Sequence, residues 1–291
     1  MTSTEQDRAV VVGVDGAESA DLAVHWGAAE AVRREVPLRL VTAFPWRPGE
    51  SGHLQHGDAY RRELLHEREL HLARVAQEVG EVVPDVDVSH RVVVGEPIAV
   101  LGAESRRAGT LVIGDRGLGA LAGVLVGSSA VALARGAGCP VVVVRGDGAP
   151  AADLPVVVGV DGTPTSEDAL AFAFDAASSR RVPLVAVHAW WADLHPTLQR
   201  QSDLRATLET EGELLAERLA GWSEKYPAVT VSRVLSRRPA TEVLLAQGAH
   251  AQLVVVGCGG RGALAGLVLG SVSQALLHHC ACPVAVVRPR G

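Results

Sequence analysis

One seven-residue string occurs twice in this chain. Val10-Val11-Val12-Gly13-Val14-Asp15-Gly16 returns letter for letter as Val156-Val157-Val158-Gly159-Val160-Asp161-Gly162, 146 positions later. Further matches follow at a spacing of 143: Gly114-x-x-Gly117 returns as Gly257-x-x-Gly260, Gly127-Ser128 as Gly270-Ser271, and Cys139-Pro140 as Cys282-Pro283. A repeat this long is a duplicated domain and not a solenoid unit. At roughly 150 residues per domain, two copies fill the 291 residues. The stretch Gly146 to Leu154, GDGAPAADL, has linker composition. The expected domains are therefore 1–147 and 154–291.

Each copy alternates strand and helix. Ala9 to Val14 is a continuous apolar run, as expected of a strand buried on both faces. Ser19 to Arg34 has helical spacing, with Leu22, Trp26, Ala29 and Val32 near one side. A strand at Leu38 to Phe44 and a charged helix at Asp58 to Gly80 follow. Next come a strand at Asp85 to Val94, a helix from Pro97 to Arg107 and a strand at Leu111 to Gly114. A helix from Gly127 to Gly136 and a strand at Val141 to Arg145 close the copy. In the second copy Val156, Leu184, Val229, Leu253 and Val284 mark the five strands. Strands separated by helices call for an open parallel sheet with helices on both faces. The expected class is α/β: two tandem five-stranded domains of Rossmann-like type.

Composition narrows the partners. Only 3% of residues are aromatic and the formal net charge is −6, with no basic stripe, so nucleic acid is not an expected partner. Leu118 to Ala134 and Ala263 to Leu277 are apolar, but they fall short of the ~20 residues of a membrane span. Four clustered cysteines make no disulfide framework. The polar start MTSTEQDRAV carries no signal peptide, and a cytoplasmic protein is expected.

In open parallel sheets ligands sit beyond the carboxyl ends of strands, where the strand order reverses. Asp15 and the glycine motif after strand four fall there. Gly114 and Gly117 would let backbone amides approach a ligand. Gly127 and Ser128 open a helix whose first N–H groups and positive dipole end attract phosphate. The same residues also suit a tight turn followed by a helix capped by Ser128 or Ser271. Residue types alone leave both readings open, since duplication copies a turn as readily as a site.

The chain resembles the universal stress protein family over nearly its whole length, in two copies. The resemblance is carried by Val-Gly-Val-Asp-Gly in strand one and by Gly-x2-Gly-x9-Gly-Ser after strand four. The closing Cys-Pro-Val-x-Val-Val-Arg, at Cys139 to Arg145 and Cys282 to Arg288, adds to it. The glycine spacing joined to the strand-one aspartate is similar to the signature of members that bind ATP. The resemblance implies an adenine-nucleotide site in each copy, for ATP with Mg2+ as its companion ion, on an adenine-nucleotide alpha-hydrolase-like fold. Asp15 and Asp161 match the aspartate that contacts ribose and adenine. Ala43 and Ala189 match a small residue beside the adenine. Gly114, Gly117, Gly127 and Ser128 match the ribose and phosphate contacts in the first copy; Gly257, Gly260, Gly270 and Ser271 match them in the second. Ser273 matches a further hydroxyl position, where the first copy has Ala130 with Ser129 one residue earlier. The first copy also carries Asp115 and Arg116 where the second has Cys258 and Gly259, so the second site is closer to the family pattern.

Other signals carry less. His278-His279-Cys280-x-Cys282 straddles a helix end and a strand start, so its side chains are expected to diverge rather than form a tetrahedral zinc site. The Asp58 to Gly80 helix, with His66 and His71, reads as a solvated charged face. Trp46 and Trp190-Trp191 suit a pocket wall, an interface or packing under a loop. No G-x-S-x-G elbow and no G-x-x-x-x-G-K-[ST] loop is present, and neither glycine loop has a lysine. Fast phosphoryl transfer then lacks its usual charge stabilisation. The expected function is a nucleotide-dependent regulator in stress or dormancy responses, not an enzyme, acting on a regulatory protein partner. An interaction scaffold with vestigial sites, a very weak ATPase and a cyclic nucleotide ligand are the alternatives. The Val-rich last strands, Val141 to Val144 and Val284 to Val287, are expected sheet edges that could pair the copies and assemble a homodimer.

Overall fold

The computed structural model describes residues 9–46, 57–115, 127–145, 153–190, 201–259 and 269–289. The chain divides into two compact units, Met1–Arg145 and Gly146–Gly291. The first unit runs β1 (Val10–Gly13), α1 (Glu18–Arg34), β2 (Leu38–Phe44), α2 (Gly57–Val82), β3 (Val88–Val94), α3 (Pro97–Ser105), β4 (Thr110–Gly114), α4 (Ser128–Gly136) and β5 (Val141–Val144). The second runs β6 (Val156–Gly159), α5 (Pro164–Arg180), β7 (Leu184–Ala189), α6 (Gln201–Lys225), β8 (Val231–Ser236), α7 (Ala240–Gly248), β9 (Leu253–Gly257), α8 (Ser271–His279) and β10 (Val284–Val287).

Within the first unit the strands lie in the order β3-β2-β1-β4-β5, all parallel. The second unit repeats this as β8-β7-β6-β9-β10. Even the register is copied: Val10 pairs with Leu38 and Thr110, and Val156 with Leu184 and Leu253. The order reverses beside β1 and β6, so each unit has a crevice there, at the carboxyl ends of its central strands. This is the α/β, Rossmann-like arrangement that the strand and helix pattern calls for.

The valine runs of β1 and β5 have no solvent-facing side. Val10, Val11 and Val12 are buried, as are Val141 to Val144, which explains why they read as unbroken valine runs. Alternation along β1 places a helix on each face. A Cβ on Gly27 of α1 would meet Val12 at 2.5 Å, and one on Gly13, the next strand residue, would meet Leu101 of α3 at 2.9 Å.

Two expectations need correction. Leu22, Trp26, Ala29 and Val32 are only half-buried, and the face of α1 on the sheet is Ala20, Ala23, Val24, Gly27, Ala28 and Ala31. The helix backbone comes so close at Gly27 that only small residues fit between it and the valines. Val229 is buried but lies in the turn before β8, where its N–H donates to Tyr226 O at 3.0 Å. Both first helices end on a non-glycine residue in the left-handed region, Glu35 (φ 54°) and Arg181 (φ 56°). The amides there return to the carbonyls of the last turn, which satisfies otherwise unpaired acceptors.

Helix α2 carries its charges outward and buries Leu72, Val75 and Val79. Among the described residues no helix is long and apolar enough to cross a membrane. The described parts of the two apolar stretches belong to the short helices α4 and α8.

Candidate functional site

In the second unit a cleft opens beyond the ends of β6, β7 and β9. Its apolar wall includes Val160, Val187, Ala189, Leu244 and Val256. Asp161, Gly257, Gly270, Ser271 and Ser273 line its polar side. The structure thus gathers most of the second copy's proposed residues around one space. Gly117, Arg116 and Gly260 lie outside the described residues.

Asp161 is placed by a local turn. Its Oδ1 accepts the Thr163 N–H at 2.9 Å and the Thr163 hydroxyl at 2.6 Å. In the first unit Asp15 Oδ1 accepts the Ala17 N–H at 3.0 Å. These bonds hold each carboxylate at the sheet end while starting the following helix. The next residues, Gly16 (φ 86°) and Gly162 (φ 83°), stand in the left-handed region, where a side chain would be strained.

The facing element is the start of α8. Gly270 is its cap, and Gly127 caps α4; neither helix has a side-chain capping bond. Ser128 and Ser271 are therefore first helical residues rather than caps, which corrects the capping alternative. Each capping glycine donates its N–H back to the strand end, Gly127 to Asp115 O and Gly270 to Cys258 O, both at 2.8 Å. This bond pins the positive helix end beside the cleft. With no capping side chain in the way, the first-turn amides suit an anion.

Two of the strand-end glycines are also required by packing. A Cβ on Gly257 would meet the Thr165 carbonyl oxygen at 3.0 Å, and one on Gly114 would meet Ser19 O at 2.7 Å. These glycines let the first turn of α5 or α1 cross the strand end. Ser273 is buried and its hydroxyl donates to Gly257 O at 2.6 Å. It reaches a phosphate only by turning from that bond. Ala130, also buried, stands at this point of the first unit, while Ser128 is exposed and Ser129 half-buried. Ala43 is half-buried at the end of β2.

The units differ next to the glycines. Asp115 is buried, and its N–H donates to Val144 O at 3.0 Å. Cys258 donates likewise to Val287 O at 2.8 Å. Burial pushes the Cys258 thiol up, and Arg288 pulls it part of the way back.

The cysteines near the chain end do not diverge as expected. Cys280 and Cys282 bring their Sγ atoms within 3.7 Å, both buried. Among the described residues no group of three or more His, Cys, Asp or Glu side chains gathers to hold a metal ion. Trp190 is buried under Arg237 and does not line the cleft, and Trp46 stacks on Phe44 at 6.1 Å between ring centroids. Trp191 lies outside the described residues. Sequence reasoning passed over His188, which is buried beside Asp161. The available signal was a mismatch between the copies, since Thr42 stands 146 positions earlier.

Comparison with known proteins bears on the family and the fold. The profile of the Universal stress protein family matches residues 8–145 and again 154–288. A universal stress protein of Mycobacterium tuberculosis is 42% identical over 301 aligned residues, covering 99% of each chain. One from Mycolicibacterium smegmatis is 38% identical over the full length of both. The crystal structure of a universal stress protein from Archaeoglobus fulgidus superposes with a TM-score of 0.70 at 19% identity, covering 98% of this chain and 100% of that one.

Proposed function

The chain belongs to the universal stress protein family, as two tandem copies of its domain, and we propose that it binds ATP without turning it over rapidly and acts as a nucleotide-dependent regulator. The observation that carries this reading is the second unit's cleft. It sets an apolar wall at Ala189 and Leu244, a carboxylate at Asp161 and a glycine-capped helix start at Gly270 around one space. The wall suits an adenine ring and Asp161 suits hydroxyls of a ribose. The open amides of α8 suit phosphate, with Mg2+ offsetting the remaining charge. The first unit would bind through Asp15, Ala43, Gly114, Gly117, Gly127, Ser128 and Ser129. Occupancy regulates only if ATP binds one conformation better than another, which a protein partner or a second chain then reads. A homodimer of the full chain is the assembly we propose, and sedimentation at micromolar concentration tests it.

Calorimetry with ATP tests the binding. Asp161→Asn keeps an acceptor for Thr163 and removes the charge, so an affinity loss of about tenfold or more is expected at the second site. Folded protein that takes up no ATP at millimolar concentration overturns the reading.

A further inference from the structure

The middle residue of the cleft wall on β7 faces away from the cleft. Val187 and Ala189 line the nucleotide side, and His188 between them points to the opposite face, toward α6. A second cavity lies there, lined among others by Asp161, Thr163, His188, Glu211 and Arg218. Asp161 touches both spaces.

His188 is held from two sides. Its Nδ1 lies 2.7 Å from the Val160 carbonyl oxygen, and its Nε2 lies 2.9 Å from Glu211 Oε2. A carbonyl can only accept, and so can a carboxylate. Both contacts are hydrogen bonds only if the ring carries two protons or if Glu211 carries one. In either case the pair holds one proton more than a neutral imidazole beside a carboxylate. Losing it leaves a ring lone pair against an acceptor at one end, an unfavourable contact at a largely buried ring. One end is the Val160 carbonyl, in the peptide that presents Asp161. In the first unit Thr42 makes the same contact, its hydroxyl donating to Val14 O at 2.8 Å. A hydroxyl keeps its proton across the whole physiological range.

We propose that nucleotide binding at the second cleft is linked to the proton shared by His188 and Glu211, and that binding at the first cleft is not. This rests on the ATP reading above. Among the described residues, the charged groups around His188 are Glu211 and Arg218 on α6 and Asp161 after β6. Arg233 also shares its face of β8, two residues before Leu235, the residue paired with His188. When the proton leaves at higher pH, the grip on the Val160–Asp161 peptide loosens, and affinity falls. One proton limits the fall to about tenfold per pH unit.

The test uses the full chain carrying Asp15→Ala, which silences the first cleft. ATP affinity is followed by calorimetry between about pH 5 and 8, the range in which a histidine side chain changes charge. The expected result is a fall of about fivefold or more beyond that of the same chain with His188→Thr, the residue of the first unit. Glu211→Gln is a second variant, because its amide can donate to a neutral ring, and it should flatten the profile equally. A chain carrying Asp161→Ala, which reads the first cleft, should already be flat. Parallel profiles in the parent and both variants overturn the linkage and leave ATP binding intact. No ATP uptake at any pH overturns the binding reading and the linkage with it.

Discussion

A Cβ on Gly248 would stand 2.7 Å from the Sγ of Cys280. The first unit fills the same space the other way round. Ser105 stands 143 positions before Gly248, and Ala137 stands 143 before Cys280. The buried Ser105 hydroxyl accepts the Gly138 N–H at 2.8 Å and donates to Gly102 O at 2.8 Å. Where the second unit lacks that side chain, the Cys280 thiol occupies the space. Cys280 is therefore a packing residue under the C-terminus of α7, and its closeness to Cys282 follows from that.

The exchange predicts a compensating pair. Gly248→Ser alone overfills the site and should destabilise by about 1–3 kcal/mol. Adding Cys280→Ala recreates the pair of the first unit and should recover most of the loss. Urea denaturation of the two single variants and the double closes the cycle. Strictly additive losses would show that the two positions do not share a space.

A second contrast concerns glycines inside helices. Alanine favours a helix by about 1 kcal/mol over glycine when nothing else changes. Gly221 in α6 has open space where its Cβ would be, so Gly221→Ala should stabilise by about that amount. Gly27 in α1 has Val12 Cγ2 at 2.5 Å, and valine on a strand cannot turn aside. Gly27→Ala should destabilise by about 1–3 kcal/mol despite the better propensity. Thermal unfolding of the two variants should shift in opposite directions.

These sites show what residue letters can and cannot carry. The apolar run Ala9 to Val14 announced a buried strand because a doubly covered strand has no polar side. The duplication announced the crevice, since Asp15 and Asp161 each follow a central strand. The buried face of α1 was not legible from helical spacing, because the Gly27–Val12 approach selects small residues that no apolar stripe marks. His188 escaped notice because its partner, Glu211, sits on another element 23 residues away. Convergence of that kind depends on how α6 lies over β7, which no local spacing records.

Buried thiols make stability fall in alkali. Burial lifts Cys139 from 9.0 to about 12, against a smaller opposing effect of a backbone bond to Leu111. Unfolded Cys139 ionises near pH 9 while the folded thiol stays protonated. The unfolded state then binds fewer protons, so stability declines as pH rises from 9 toward 12. Three pH units correspond to about 4 kcal/mol at most. Cys282 is raised as well, by its bond with Cys280 and by burial, and adds to the trend. Urea midpoints measured on both sides of the thiol's ordinary value should fall more steeply in the natural chain than in Cys139→Ala. Equal slopes would remove this thiol from the account.

The two serines of α8 should separate binding from stability. Ser271 opens the helix with an exposed side chain, and Ser273 is buried with its proton on Gly257. Family resemblance gives both a phosphate, but a hydroxyl has one proton to donate. Ser273→Ala should therefore cost about 1 kcal/mol of stability, the worth of one buried hydrogen bond, with a small change in ATP affinity. Ser271→Ala should leave the unfolding midpoint in place and weaken ATP several-fold. Denaturation and calorimetry on the same two variants read both effects. The reverse outcome, with Ser273→Ala losing ATP at unchanged stability, would mean that its hydroxyl turns from Gly257 to the phosphate when the cleft fills.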